Sequence, residues 1–295
     1  MSRPRIAFSL AGLLAATGAL GLWAMGGSLL APDTDSLDFL AHFSEAGTEE
    51  VHFRADDGVA LRGLWMPGKD PVRAVILLHG FGADRRAMLA RAKWIHESGY
   101  SALLFDLRGC GKSGGGKAAY GYAERLDVEA ALRFLTGDRK VLHVVLLGRS
   151  VGGAAALMAV DRWRSVRGVV LESVYARFEE AVRIRVRARS GYLEPIVSGL
   201  LLGQVRLRYG FDPAKLAPVD AIRRIPCPSL IVAGGRDPLG GTAEASLMFS
   251  AAPSPSTLWI LQEAGHVDFY RFEMDEYRKR VGEFLRTTLG PPREA

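Results

Sequence analysis

Short apolar runs alternate with helical patterns along most of the chain. Six runs are rich in β-branched and aliphatic residues and predict strands at 73–79, 101–106, 141–147, 166–171, 229–233 and 257–261. Their nearly continuous apolarity is typical of parallel strands that are covered on both faces. Helical patterns separate them at 85–97, 122–135, 153–161, 242–250 and 269–288. The alternation predicts an α/β protein with a doubly wound, mostly parallel sheet.

An opening hairpin and one long insert modify this plan. Residues 50–55 and 60–67 predict two antiparallel strands joined by a tight Asp-Asp-Gly turn. Residues 173–221 separate two predicted strands and are too long for an ordinary connection. We therefore expect one α/β domain over residues 50–290, preceded by a linker at 33–49 and carrying a partly helical insert.

The N-terminus carries a long uncharged segment. Arg3 and Arg5 are followed by 26 mostly apolar residues, 6–31, before the next charge at Asp33. About 20 helical residues span a bilayer, whereas the apolar part of a cleaved signal peptide usually has about 7 to 15. The length favours an uncleaved signal anchor over residues 1–32, with the domain outside the cytoplasm because the positive flank stays inside. The alternatives are a cleaved signal peptide, which would leave a secreted or periplasmic protein, and a helix buried in the core.

The net charge and the cysteine content limit the kinds of partner and of cross-link that the protein can have. The formal net charge is +6 without a long Lys/Arg block, which argues against nucleic-acid binding. The excess positive charge is concentrated in residues 181–210, which contain six arginines and a single acidic residue, Glu194. Together with the apolar run at 192–202, this segment predicts either a surface that contacts an anionic membrane or a solvated helix face. Cys110 and Cys227 are expected at opposite edges of the sheet, too far apart for a disulfide.

Chemically useful side chains follow the predicted strands. In open parallel sheets such groups collect at the carboxyl ends of the strands. Ser150 lies in Gly148-Arg149-Ser150-Val151-Gly152, between a predicted strand and a predicted helix, which is the context of a nucleophile elbow. A serine nucleophile needs a base, and the base needs an acid that fixes its tautomer. The chain order Ser150, Asp237, His266 supplies all three.

This order and five motifs resemble an α/β-hydrolase over about residues 50–288. The motifs are His-Gly-Phe from 79, Asp-x-Arg-Gly-x-Gly-x-Ser from 106, Gly-Arg-Ser-x-Gly-Gly from 148, Gly-Gly-Arg-Asp from 234 and Ala-Gly-His from 264. The elbow is most similar to that of membrane-anchored members. Val151 stands where leucine is usual, and Phe81 stands where many members carry asparagine.

The resemblance implies a role for each site residue. Ser150 would be the nucleophile, His266 the general base and then acid, and Asp237 the residue that orients His266. The backbone N–H groups of Phe81 and Val151 would form the oxyanion hole. Residues 173–221 would form a lid over Ser150 and choose the substrate. Acyl transfer needs no cofactor, and the sequence has no His or Cys cluster with zinc spacing.

Several alternatives remain at this point. Ser150 could be an ordinary helix N-cap, and His266 a surface histidine. Glu172 and Asp268 compete with Asp237 as the acid. If Asp237 is the acid, Asp237→Asn should reduce turnover strongly and Glu172→Gln should not.

Two further residues after the strands are expected to be structural. His79 should shape its own loop, and Asp106 should brace the loop that carries Arg108.

We therefore expect a serine hydrolase that cleaves a small-molecule carboxylic ester through an acyl-enzyme intermediate. An amidase or peptidase and an acyltransferase use the same triad. A catalytically silent α/β-hydrolase that serves as a binding or scaffold protein is the alternative from another class.

Overall fold

An eight-stranded sheet forms the centre of the protein in a computed structural model that describes residues 47–116, 118–239 and 241–292. The strands are β1 (Glu49–Arg54), β2 (Ala60–Met66), β3 (Asp70–Leu78), β4 (Tyr100–Phe105), β5 (His143–Arg149), β6 (Val166–Glu172), β7 (Ser229–Gly234) and β8 (Thr257–Leu261). Their spatial order is β1-β2-β4-β3-β5-β6-β7-β8. β2 pairs antiparallel with both β1 and β4, and the other pairs are parallel. The predicted sheet with an antiparallel start is confirmed.

Helices cover both faces of this sheet. They are α1 (Leu89–Glu97), α2 (Arg125–Arg133), α3 (Val151–Ala159), α4 (Phe178–Ser190), α5 (Glu194–Tyr209), α6 (Pro218–Ile222), α7 (Thr242–Ala251), α8 (Phe269–Phe272) and α9 (Met274–Leu289). Along β3, Val75 and Leu77 pack in the core cluster shared with α1 and α9. Ile76 and Leu78 pack in the opposite cluster, shared with α2 and α3. Because successive side chains point to opposite faces, both layers require apolar residues, which explains the continuous apolar runs.

The insert is helical, and its second helix has two different faces. Its buried face carries Ser198, Leu202 and Val205. The opposite face exposes large apolar side chains, with fractional exposures of 65% at Ile196 and 79% at Leu207. An ordinary surface helix is polar on its outer face, so α5 departs from the usual pattern.

The helices differ from the sequence expectation mainly at their ends. The helix predicted at 153–161 begins two residues earlier, directly after Ser150. The pattern at 85–97 starts as a 3-10 turn, Arg85–Met88. The helix predicted at 122–135 begins at Arg125 and continues into a π turn, Phe134–Asp138. The helix predicted at 269–288 is interrupted at Glu273, whose ψ of 61° is not helical.

The signal anchor predicted over residues 1–32 lies outside the described residues, as does most of the linker. Within the described ranges, no helix is both long and apolar enough to cross a bilayer. Cys110 and Cys227 are both free, as expected, and both are buried. Burial raises the pKa of each thiol to about 12, so neither is a reactive thiolate at neutral pH.

Candidate active site

Ser150 lies on a strained turn between β5 and α3. Its backbone has φ 50° and ψ −115°, a conformation that residues with a side chain rarely adopt. The hydroxyl makes no capping hydrogen bond to α3, so the side chain does not act as an ordinary N-cap. The Ser150 N–H donates to the Glu172 carbonyl at 2.8 Å, which ties the turn to the end of β6. This is the geometry of a nucleophile elbow.

The glycines around Ser150 are required by close packing. A Cβ atom on Gly148 would lie 2.5 Å from the nitrogen of Gly153, the first full turn of α3. A Cβ atom on Gly152 would lie 2.6 Å from the carbonyl oxygens of Leu78 and His79. Both distances are far below van der Waals contact. The helix can therefore start directly against β3 and β5 only where these positions lack side chains.

His266 and Asp237 form a hydrogen-bonded pair on the neighbouring loops. Nδ1 of His266 lies 2.8 Å from Oδ2 of Asp237, while Oδ1 of Asp237 accepts the Leu239 N–H at 2.8 Å. Burial by itself would raise the pKa of Asp237, but the hydrogen bonds from His266 and Leu239 outweigh it and lower the pKa. An ionised Asp237 holds the proton on Nδ1 of His266, which leaves Nε2 available as a base.

Backbone hydrogen bonds join the loops that carry this pair. The Arg236 N–H donates to the Ala264 carbonyl at 2.9 Å, and the Gly235 N–H donates to the Leu261 carbonyl at 2.8 Å. A Cβ atom on Gly234 would lie 2.4 Å from the Ala264 oxygen, so the loops touch through their main chains. The distance between Asp237 and His266 is thereby set by the backbone.

The two rival acids are engaged elsewhere. Glu172 is fully buried and accepts hydrogen bonds from Arg91 at 2.9 and 3.2 Å and from the Tyr277 hydroxyl. Asp268 caps α8 by accepting the Tyr270 N–H at 3.1 Å, and its Oδ1 lies 2.7 Å from Arg91 Nη2. Neither carboxylate is hydrogen-bonded to His266, whereas Asp237 is.

Ser150 and His266 line the same pocket, which opens beneath the insert. The cavity holds about 410 Å³ of space, including its open mouth. Its walls are Phe81, Tyr120, Ser150, Val151, Ser173, Tyr175, Phe178, Ala181, Arg185, Leu239 and His266. No hydrogen bond joins Ser150 Oγ to the imidazole among these described residues. In free enzymes such contacts are often long and tighten only when substrate is bound.

Backbone strain is concentrated around this pocket. Within the described ranges, four residues other than glycine have positive φ: Tyr120 (59°), Lys140 (57°), Ser150 (50°) and Ser173 (49°). All except Lys140 line the cavity. Strained conformations of this kind persist where the surrounding structure holds them, and they cluster at functional sites.

The predicted oxyanion loop approaches the elbow closely. A Cβ atom on Gly80 would lie 3.6 Å from Ser150 Cβ, so the loop after β3 contacts the nucleophile turn. Phe81 lines the pocket and stacks on Tyr120 with ring centroids 5.4 Å apart. Val151 also lines the pocket, as the first residue of α3. The structure thus brings together the five residues that the sequence assigned to the site.

His79 lies beside this loop in a neutral, structural state. Its Nδ1 donates to the Gly80 carbonyl at 2.8 Å, and its Nε2 accepts the Leu107 N–H at 3.0 Å. Burial lowers the pKa of His79 and so favours the neutral ring. The expected role in shaping the loop agrees with these contacts.

Asp106 braces the loop that carries Arg108, as expected, and it does so through main-chain N–H groups. It accepts the backbone N–H groups of Arg85 at 2.8 Å and Lys112 at 2.9 Å. Arg108 is held by Asp127, at 2.7 Å, and by Asp57, at 2.6 Å. Asp106 therefore fixes the loop through its main chain and does not pair with Arg108.

The insert supplies pocket residues that the sequence analysis did not identify. Phe178, Ala181 and Arg185 have the spacing i, i+3, i+7 and form one face of α4 against the cavity. Tyr175 precedes this helix, and its hydroxyl donates to the Tyr120 carbonyl. The i, i+3, i+7 spacing was the available signal, but four alternating arginines obscured it. Across the described ranges, no group of three or more His, Cys, Asp or Glu residues is arranged to hold a metal ion.

Comparisons with known proteins agree with this architecture. A family model described as "Serine aminopeptidase, S33" matches residues 69–208. YfhR of Escherichia coli K12, described as uncharacterized, is 25% identical over an alignment of 253 residues that covers 82% of each chain. YqkD of Bacillus subtilis, also described as uncharacterized, is 26% identical and is matched over 77% of this chain and 76% of its own.

A solved structure shows the fold directly. The Pyrococcus furiosus esterase Pf2001 superposes with a TM-score of 0.72 at 23% identity, covering 88% of this chain and all of that one. Together with the sheet order and the elbow, this shows that the chain has the α/β-hydrolase fold, and the family match supports its place in the α/β-hydrolase superfamily.

Proposed function

We propose that this protein is a serine hydrolase that cleaves a small-molecule carboxylic ester. The observation that carries the proposal is the 2.8 Å bond between His266 and Asp237 at a pocket that also contains the strained Ser150. A serine, a histidine with a fixed tautomer and a buried carboxylate are the parts that acyl transfer requires. The esterase activity named for the Pyrococcus furiosus relative is in line with this chemistry.

Each group has a defined part in the proposed reaction. Ser150 Oγ attacks the ester carbonyl carbon while Nε2 of His266 takes its proton. Asp237 stabilises the imidazolium through Nδ1. The negative oxygen of the tetrahedral intermediate accepts hydrogen bonds from the N–H groups of Phe81 and Val151, each worth about 3 kcal/mol in such sites. His266 then protonates the leaving alcohol, and water releases the acyl group from Ser150 by the reverse sequence.

The pocket favours an ester over the peptide substrate that the family description suggests. An aminopeptidase must bind a protonated α-amine, which calls for a carboxylate near the nucleophile. The residues lining this pocket include the cation of Arg185, and the nearby carboxylate of Asp237 is already bonded to His266. Transfer of the acyl group to an acceptor other than water uses the same residues and is the second candidate.

A fluorophosphonate probe tests the nucleophile. The folded wild-type protein should be labelled, and Ser150→Ala should abolish labelling. Ser246→Ala changes an exposed serine on α7 and is the matched control. Absence of labelling in the folded wild-type protein would overturn the proposal and favour a silent binding or scaffold protein. A series of p-nitrophenyl esters of increasing acyl length then measures the depth of the pocket.

We also propose that residues 6–31 anchor the protein in a membrane with the domain outside the cytoplasm. The apolar face of α5 supports this location, because Ile196, Leu200 and Leu207 are each at least 50% exposed, and Leu193 directly before the helix is 44% exposed. The arginines of α4 lie beside it and would attract anionic lipid. The full chain should stay with membranes through alkaline extraction. Recovery of a shortened, soluble chain would instead indicate a cleaved signal peptide.

A further inference from the structure

Arg185 places a positive charge in the wall of the candidate active site. It lies one turn beyond Ala181 on the face of α4 that borders the cavity. Arg185 is solvent-exposed as a residue, yet it is one of the residues that line the pocket, and protein atoms replace part of the water around its guanidinium. This burial lowers the pKa of Arg185. Arginine nevertheless stays charged at neutral pH, so the pocket contains a cation.

No side chain in the described part of the protein pairs with this cation. Its α4 neighbour Arg187 lies 3.4 Å from Glu194, and Arg177, before the helix, lies 2.9 Å from Asp220. No carboxylate forms an ion pair with Arg185 in the described ranges. The negative charge of Asp237 attracts the Arg185 guanidinium from a distance, but the Asp237 oxygens are bonded to His266 and to the Leu239 N–H. A partly desolvated cation without a counter-ion is costly, and a bound anion would remove that cost.

Apart from Arg185, Ser150, Ser173 and His266, the wall is formed by aromatic and aliphatic residues. Phe81, Tyr120, Tyr175 and Phe178 form a connected aromatic cluster, with the Tyr120 and Phe178 rings 4.7 Å apart. Burial raises the pKa of Tyr120 and of Tyr175, so both hydroxyls stay neutral. The wall therefore combines apolar surface for a carbon chain with the cation of Arg185.

We propose that Arg185 binds a carboxylate of the substrate, so that the pocket selects esters that carry one negative charge, such as half-esters of dicarboxylic acids. This inference rests on the proposed ester hydrolysis. A single guanidinium matches a carboxylate in charge and in its two-oxygen geometry. A phosphate dianion would bring a second negative charge into a pocket that already borders Asp237, so a carboxylate is the better match.

Isosteric esters test the charge preference. On the acyl side, mono-p-nitrophenyl adipate is compared with p-nitrophenyl 6-methylheptanoate, which replaces the carboxylate by an isopropyl group, and with the cationic 6-aminohexanoate ester. On the alcohol side, 4-acetoxybenzoate is compared with 4-isopropylphenyl acetate. The wild-type enzyme should favour the anionic member of one pair by roughly 10- to 100-fold in kcat/KM, mostly through KM, and should disfavour the cationic ester.

Two variants distinguish a direct contact with Arg185 from the overall positive charge of the α4 arginines. Arg185→Gln should abolish the preference, so that kcat/KM for the anionic ester falls to about that of its neutral partner. Arg183→Gln removes the same charge from an exposed position of α4 outside the pocket wall and should keep the preference. Equal effects of the two substitutions, or no preference in either pair, would overturn the inference. The pair that shows the preference tells whether the carboxylate lies on the acyl or the alcohol side.

Binding separates this inference from the proposed reaction. Calorimetry measures the binding of monomethyl adipate, which carries a single carboxylate, to Ser150→Ala and to the same variant with Arg185→Gln. Binding that is lost with Arg185 supports the anion subsite even if no ester is cleaved and the proposed function fails. Turnover that depends on Ser150 but shows no charge preference leaves the proposed function intact and overturns the subsite. Absence of monomethyl adipate binding to Ser150→Ala also overturns it.

Discussion

The buried charge cluster around Arg91 gives a sharp prediction about stability. The Arg91 side chain is 1% exposed, and its Nη2 donates to Glu172 at 2.9 Å and to Asp268 at 2.7 Å. Its Nε donates to the Tyr277 hydroxyl at 3.1 Å. Burial disfavours the charged guanidinium, yet the surrounding acids raise the pKa of Arg91. We predict that Arg91→Met strongly destabilises the protein, because Glu172 would keep a buried charge without its counter-ion.

The expected cost follows from the burial of Glu172. Removing one partner of a buried ion pair typically costs about 3–5 kcal/mol of unfolding free energy. Methionine fills much of the space of the arginine stem, so the loss of packing against the tyrosine rings is smaller. In domains of this size, 1 kcal/mol corresponds to about 2–4 °C in Tm, so the melting temperature should fall by roughly 6–20 °C.

A double-mutant cycle isolates the charge effect. Unfolding in urea near neutral pH is followed by circular dichroism for Arg91→Met, Glu172→Gln and the double variant. The neutral amide of Gln can still accept a hydrogen bond from the Tyr277 hydroxyl, and no buried charge is left unpaired. The double variant should therefore be more stable than Arg91→Met, and the two substitutions should deviate from additivity by about 2 kcal/mol or more.

Turnover of the same variants tests the assignment of the acid. Glu172 lies outside the pocket wall, so Glu172→Gln should keep kcat within about threefold below its melting temperature. Asp237→Asn should lose about three to four orders of magnitude. A loss below about 1 kcal/mol in Arg91→Met, or an additive cycle, would mean that water solvates Glu172 and that the buried-charge argument is wrong. Equal losses of kcat in Glu172→Gln and Asp237→Asn would make Glu172 a candidate for the acid again.

Three further variants test other parts of the structure. Burial raises the pKa of Glu124 to about 7 from 4.5, so the native state binds this proton more tightly than the unfolded state and loses stability as pH rises through this range. From pH 5 to pH 8, the unfolding free energy of Glu124→Gln, measured in urea, should therefore rise by about 1–3 kcal/mol relative to that of the wild type. The same pH dependence of unfolding free energy in both proteins would contradict this. Gly152→Ala should lower the unfolding free energy by about 2 kcal/mol or more and reduce turnover, because its Cβ would lie 2.6 Å from carbonyl oxygens. In the control Gly137→Ala the new Cβ has no atom within 4 Å, so the unfolding free energy measured by calorimetry should change by less than about 0.5 kcal/mol. Replacing Ile196 and Leu200 by serine in a chain without its first 32 residues should weaken binding to phosphatidylglycerol vesicles about tenfold or more; unchanged binding would remove α5 from the proposed membrane surface.

The sheet could be predicted because its strands are buried on both faces. Val75 and Ile76 pack into opposite core layers, so the run that contains them is apolar throughout and stands out in the sequence. The elbow could be predicted because Gly148 and Gly152 meet neighbouring backbone, a constraint that leaves a fixed pattern around Ser150. The order of the strand ends then brought the remaining site residues together.

The environment of the arginines could not be predicted, because a charged residue in a helical pattern is usually exposed. Arg91 is buried through partners distant in sequence, Glu172 and Asp268, and nothing in its own segment indicates this. Arg185 was one of four arginines spaced by two, and only the packing of α4 distinguishes the one that borders the pocket. Tertiary pairing, which local periodicity does not encode, decides both cases.

The proposed catalytic residues and Arg185 are held by different parts of the protein. The loop of His266 is fixed on one side by the Arg236–Ala264 backbone bond and on the other by Asp268, which is tied to Arg91 beneath the site. Arg185 belongs to α4, in the insert between β6 and β7, and makes no bond to either loop in the described ranges. Changes in α4 can therefore alter which substrate enters without disturbing the pairing of Asp237 with His266. For this reason, substitution of Arg185 should change KM for anionic esters, whereas substitution of Asp237 should reduce kcat for every ester.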